Sequence, residues 1–165
     1  MNRSTMRFGT LALACTLALP LSAAAQLSKS LAGTTWSLAS NEMVDPKGVK
    51  RAMVEGKDVK GALAFGSTGH FSYSVIAGMA KLANDRLDTT PAEDHAIARG
   101  SLSYFGTYTV DDATGTLTLN IERSTFPTQN GTAAKRKVTL KGNELTIENA
   151  ARTKGGSTKV VWKKD

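Results

Sequence analysis

Cysteine is almost missing from this chain: Cys15 is the only one in 165 residues, and it lies inside an apolar N-terminal run. A disulfide framework is therefore excluded, and an apolar core must hold the fold together. Histidine is scarce too. His70 and His95 stand far apart, and no paired-histidine or C-x-x-C spacing accompanies them, so no metal site is expected. No apolar run reaches the roughly 20 residues needed to span a bilayer, which argues against a transmembrane segment. The chain also has no nucleophile elbow, no phosphate-cradling glycine loop and no zinc-protease motif. No catalytic residue is assigned, and no cofactor is expected.

What is present begins with a distinctive N-terminus. Arg3 and Arg7 form a basic start, Leu11 to Leu21 an apolar run, and Ser22-Ala-Ala-Ala25 a small-residue cleavage site. That order is a secretory signal. It predicts a signal peptide over 1–25, a mature domain over 26–165, and export to the periplasm or the medium. A rival reading takes Cys15, preceded by Ala-Leu-Ala, as a lipid-anchoring cysteine; the run continues past it to a conventional site, which favours cleavage after Ala25. The remaining 140 of the 165 residues suffice for one domain that buries about two-thirds of its unfolded surface.

Charge is unbalanced: 21 basic against 14 acidic residues give +7, and 19 basic residues remain once Arg3 and Arg7 are removed. The basic residues are scattered, and the densest groups, Lys135-Arg136-Lys137 and Lys163-Lys164, lie on strand-like segments. The expectation is a solvated basic surface with peripheral attraction to an anionic envelope, and no nucleic-acid partner.

Period-two alternation dominates the mature chain and marks half-buried strands. Thr34, Trp36 and Leu38 share a phase, as do Leu63 and Phe65, then Phe71, Tyr73 and Val75. Leu102, Tyr104, Gly106, Tyr108 and Val110 follow, then Leu117, Leu119 and Ile121. Val138 with Leu140, Leu145 with Ile147, and Val160 with Trp162 complete the set, alongside a weaker strand near 49–54. Turn chemistry at Gly66–Gly69, Asp111–Gly115 and Lys141–Asn143 joins neighbours as hairpins. Eight or nine such strands predict an all-β antiparallel barrel or sandwich. The alternation stops between Gly78 and Gly100. There Thr90 caps, Pro91 opens and Glu93 completes the capping box of one short helix over Pro91–Arg99, which ends at Gly100.

The phases also predict direction. Arg136 falls with Ala134, Val138 and Leu140, so it points inward, where an unpaired charge would cost several kcal/mol. Trp36, inward on the first strand, is a candidate π face for it, and the pair would close one end of the barrel. Tyr73, Tyr104 and Tyr108, the only tyrosines, are inward as well, with Phe71 beside them. Two readings stay open. They fill the core and bond to each other or to Arg136, or they line a cavity and offer hydroxyls to a ligand. His70 falls on the outward phase. His95, next to Glu93 and Asp94, reads as part of a solvated helix face.

The segment Leu31-Ala-Gly-Thr-Thr-Trp-Ser-Leu38 resembles the G-x-W opening strand of lipocalins and other calycins. Tyr104-Phe-Gly-Thr-Tyr-Thr-Val-Asp111 closely resembles the "YFGTYTVD" core of the bacterial lipocalin-like domain family. Ser124-Thr-Phe-Pro127 with Gly131, Thr132 and Arg136, then Asn143–Thr146 and Val160–Trp162, resemble its later blocks, as do Gly69–Val75 and Asn84-Asp85-Arg86. The resemblance spans nearly all of the mature chain and implies an up-and-down barrel, with Trp36 packed on an arginine from a late strand. Asn120 stands where many members carry histidine, which weakens any histidine-based mechanism at that position. The expected function is interior binding of a small hydrophobic or aromatic ligand through Phe71, Tyr73, Tyr104, Tyr108 and Arg136. Two alternatives are a cofactor-free cyclase or isomerase using Arg136 and a tyrosine, and an envelope interaction protein with a solid core.

Overall fold

The structure, a computed structural model, describes residues 27–83, 85, 87–149 and 155–165. The expected signal peptide, and Asn84 and Arg86 of the family resemblance, lie outside the described residues. Nine strands form one antiparallel sheet: β1 (Thr34–Val44), β2 (Lys50–Arg51), β3 (Lys57–Phe65), β4 (His70–Gly78), β5 (Ser101–Asp111), β6 (Thr116–Ser124), β7 (Thr132–Lys141), β8 (Glu144–Asn149) and β9 (Ser157–Lys164). β1 pairs with β9 from Trp36↔Lys164 to Val44↔Ser157, so β1 and β3–β9 close an eight-stranded barrel with β2 as an appendage. Of the barrel and the sandwich that the alternation left open, the structure is the barrel, with the up-and-down order that the family resemblance implies.

Helix α2 (Pro91–Gly100) carries the expected N-terminus, with the Thr90 hydroxyl accepting from the Glu93 N–H while Glu93 accepts from the Thr90 N–H. A second helix, α1 (Leu27–Leu31), had no sequence signal; five residues are too few for helical periodicity to show. The segment expected as a weak strand near 49–54 contributes only the two residues of β2. The rest crosses the barrel end as a strap that buries Val54.

The two ends of the barrel differ. At one end the connections are tight: 66–69, 112–115 and 142–143. Here Leu31 of α1 is fully buried, and Ser28 binds Asp112 through both its N–H (2.8 Å) and its hydroxyl (2.7 Å). Trp36 donates to the Thr34 hydroxyl (2.8 Å), which donates to the Leu31 carbonyl (2.5 Å), tying α1 to β1. At the other end the connections are long: 45–56, 79–100, 125–131 and 150–156. Packing therefore closes the first end, and any opening belongs to the second.

The β5–β6 ladder shifts register between Phe105 and Gly106. A Cβ at Gly106 would run into the backbone carbonyl of Asn120, so the strands approach here only because residue 106 has no side chain. Gly106→Ala is expected to cost about 1–3 kcal/mol by forcing the two strands apart. Urea denaturation checks this, and a variant as stable as the parent would refute the close-approach account.

Candidate functional site

Because side chains alternate across a strand, the inward set of eight strands converges on one space. At the end nearer the long connections the interior opens into a pocket of about 370 Å³. Its floor is the top of the packed core, where Leu63, Phe65, Leu117, Leu119, Ile121, Ile147 and Val160 from β3, β6, β8 and β9 are all buried. Tyr73 on β4, Tyr104 on β5 and Arg136 on β7 add the polar groups of the interior. The mouth is framed by Met43, the strap residues Ala52, Met53 and Glu55, Arg99 of α2, Leu102, the 126–129 turn, Asn149 and Thr158. Glu55 is clamped by Arg99 through a side-chain ion pair and through its N–H to the Arg99 carbonyl (2.8 Å), fastening the strap to α2. This bond holds the Glu55 carboxyl below its usual range and raises Arg99.

Of the residues expected to contact a ligand, the structure brings Tyr73, Tyr104 and Arg136 to the cavity. Tyr73 and Tyr104 are cross-strand partners with stacked rings, 4.4 Å between centroids at 14°. Phe71 is buried behind them, edge-on to Tyr104 at 5.9 Å, and does not line the cavity. Tyr108 lies toward the packed end. Its ring meets Phe65 edge-on at 4.8 Å, and its hydroxyl donates to the Gly66 carbonyl (3.1 Å), fixing the 66–69 turn. Trp36 sits at the packed end under the Lys164 ammonium, 5.9 Å from the ring centroid. The cation over Trp36 is thus Lys164, its ladder partner, whereas Arg136 pairs with Leu117 mid-barrel and faces the tyrosines. Shared phase said that Trp36 and Arg136 both point inward; their different heights along the barrel separate them.

Sequence reasoning missed the strap and its Glu55–Arg99 clasp, which carry no periodic signal, and the 126–129 turn. It identified the inner apolar wall only as core.

Two buried polar side-chain atoms among the described residues have no hydrogen-bond partner: the Tyr73 hydroxyl and Trp162 Nε1. They belong to one contact, the rings meeting edge-on at 5.2 Å. Burial raises the Tyr73 phenol well above its usual value, helped by Tyr104 and opposed by Arg136. Burial likewise raises Tyr104, again against Arg136, and raises Tyr108. All three phenols therefore stay protonated at neutral pH and can donate.

The site is a pocket at one end of a closed eight-stranded antiparallel barrel, an architecture consistent with the lipocalin-like fold. The sequence model of the lipocalin-like domain matches residues 33–164, and the chain belongs to that family. No curated protein and no solved structure matches it.

Two predictions follow from the tyrosines. An unpartnered buried hydroxyl costs about 1–3 kcal/mol, so Tyr73→Phe should stabilise the ligand-free protein by about 1 kcal/mol in urea denaturation. A loss of stability would mean that the hydroxyl is satisfied. Phenols with raised folded pKa values contribute stability that is intact below the unfolded value of about 10 and lost as pH rises toward the folded values. The urea midpoint should therefore fall above about pH 10, with tyrosinate absorbance appearing together with unfolding. Tyrosinate forming near pH 10 in the folded protein would contradict the burial.

Proposed function

We propose that this protein is an exported carrier that holds one small hydrophobic or aromatic molecule inside its barrel. The observation that carries the reading is the cavity itself: about 370 Å³, apolar walls, one framed mouth, and a few polar groups converging from β4, β5 and β7. That volume falls within the range of small-molecule sites, which are mostly apolar with few orienting groups. A solid-core interaction protein would not need this space. The basic exterior suits residence near an anionic envelope, and the basic–apolar–small order of residues 1–25 supports export.

The test uses N-phenyl-naphthylamine, a neutral aromatic probe whose fluorescence rises in apolar surroundings. One-to-one saturable binding is expected. At about a hundredfold excess over Kd the melting temperature should rise by roughly 5–10 °C. Leu102→Trp, which places an indole in the cavity, should abolish both signals. Non-saturating fluorescence that is indifferent to Leu102→Trp would rule out interior binding. Expression in a secreting bacterial host, followed by intact-mass measurement, should show loss of residues 1–25; retention of that segment would count against export.

A further inference from the structure

We propose that the outside of the barrel carries a second binding site, a groove over β6 that takes an uncharged saccharide. One sugar face stacks on Phe105, and the hydroxyls bond to Asn120, Glu122 and Arg123. The site begins with the close approach at Gly106. There the β5–β6 register shifts: Phe105 pairs with Arg123 and Gly106 with Ile121, which makes Glu122 the extra residue of a bulge. In a regular strand successive side chains take opposite faces, so one of Glu122 and Arg123 would point into the barrel. The bulge leaves both exposed, directly after the buried Ile121. Two consecutive side chains of opposite charge thus stand beside Phe105, which is 49% exposed. With Thr107, Asn120 and Ala133 they line an open groove of about 580 Å³.

The groove's chemistry selects the class of ligand. Phe105 lies on a rung between Ser72 and Arg123, and the next rung is Thr107, Asn120 and Ala133. Apart from Arg123 these neighbours are short, so the ring is open to a flat partner. The axial C–H bonds of a β-linked sugar carry slight positive charge and suit the negative face of an aromatic ring. The Glu122 carboxylate accepts, the Arg123 guanidinium donates and the Asn120 amide does both, which matches the donors and acceptors of neighbouring sugar hydroxyls. An N–H of Arg123 to the Glu122 carbonyl (2.8 Å) holds the guanidinium near its own strand. One carboxylate and one guanidinium cancel, so the groove favours an uncharged ligand although the whole chain carries +7. Its apolar part is a single ring, far below the roughly 1,000 Å² that a protein partner buries, and about the size of one sugar.

The test is titration of the isotope-labelled protein with cellotetraose, followed through backbone amide shifts in NMR. Saturable shifts are expected at Phe105, Asn120, Glu122 and Arg123, with Kd on the order of 1 mM. The affinity should hold within about twofold from low salt to about 0.5 M salt. Phe105→Ala and Phe105→Leu should each weaken binding by about tenfold, since leucine keeps apolar bulk and loses the ring face. Phe105→Trp should bind at least as tightly as the unmutated protein, which a role in packing alone would not give. Should Phe105→Ala fail to fold, the leucine and tryptophan variants decide. Full binding by Phe105→Leu overturns the stacking and with it the proposal. Absence of shifts at about 20 mM cellotetraose overturns it too, as do shifts confined to the mouth residues Leu102, Asn149 and Thr158. A preference for trigalacturonate that vanishes in salt also overturns it, because the basic surface would then be the binder. None of these results bears on interior binding, since groove and pocket lie on opposite faces of β5 and β6.

Discussion

Everything in this molecule depends on the ladder that joins its first long strand to its last. β1 and β9 pair from Trp36↔Lys164 to Val44↔Ser157, with one register shift near Leu38 and Ser40. Without that pairing the strands would make an open curved sheet with two bare edges and nothing to enclose. With it, inward residues from eight strands face one another across a common interior, and the core and the cavity become the same space at different heights. β1 is long enough to serve both sides: its first residues, Thr34–Ser37, also pair with β3. Beyond them β1 and β3 part, and the 45–56 strap covers the gap.

The barrel separates stability from binding along its axis. The end with tight turns is packed by Leu31, Trp36, Phe65 and Tyr108, and the polar atoms of Trp36 and Tyr108 are satisfied. Long connections gather at the other end, where chain length is free to form a mouth. Between the two, Tyr73 and Trp162 meet with their polar atoms unpartnered. A buried group left unsatisfied lowers the stability of the protein. Arg136 lies on the same lining, and its charge opposes the rise that burial imposes on both phenols.

Much of this was legible in the chain before any coordinates. Alternation in Leu102–Val110, Leu117–Ile121 and Phe71–Val75 marked strands and told inside from outside, because a pleated strand sends successive side chains to opposite faces. The Thr90–Glu93 capping box located α2, because its two hydrogen bonds are local. The inward direction of Arg136 followed from Val138 and Leu140 on the same strand. Illegible were α1, too short to repeat a period, and the Glu55–Arg99 clasp, whose partners are joined by no local pattern.

The sequence by itself determined an all-β antiparallel fold, its strand phases, its tight turns and the set of residues that face inward. Only the tertiary structure decided which of those residues meet. Phe71, Tyr73, Tyr104 and Tyr108 share inward phases, yet Tyr73 and Tyr104 line the cavity while Phe71 and Tyr108 pack beyond it; Trp36 lies under Lys164 and Arg136 faces the tyrosines. Phase is a property of one strand. Height along the barrel depends on the register between strands and on the stagger imposed by closing the sheet, and those are fixed by pairings between residues far apart in the chain.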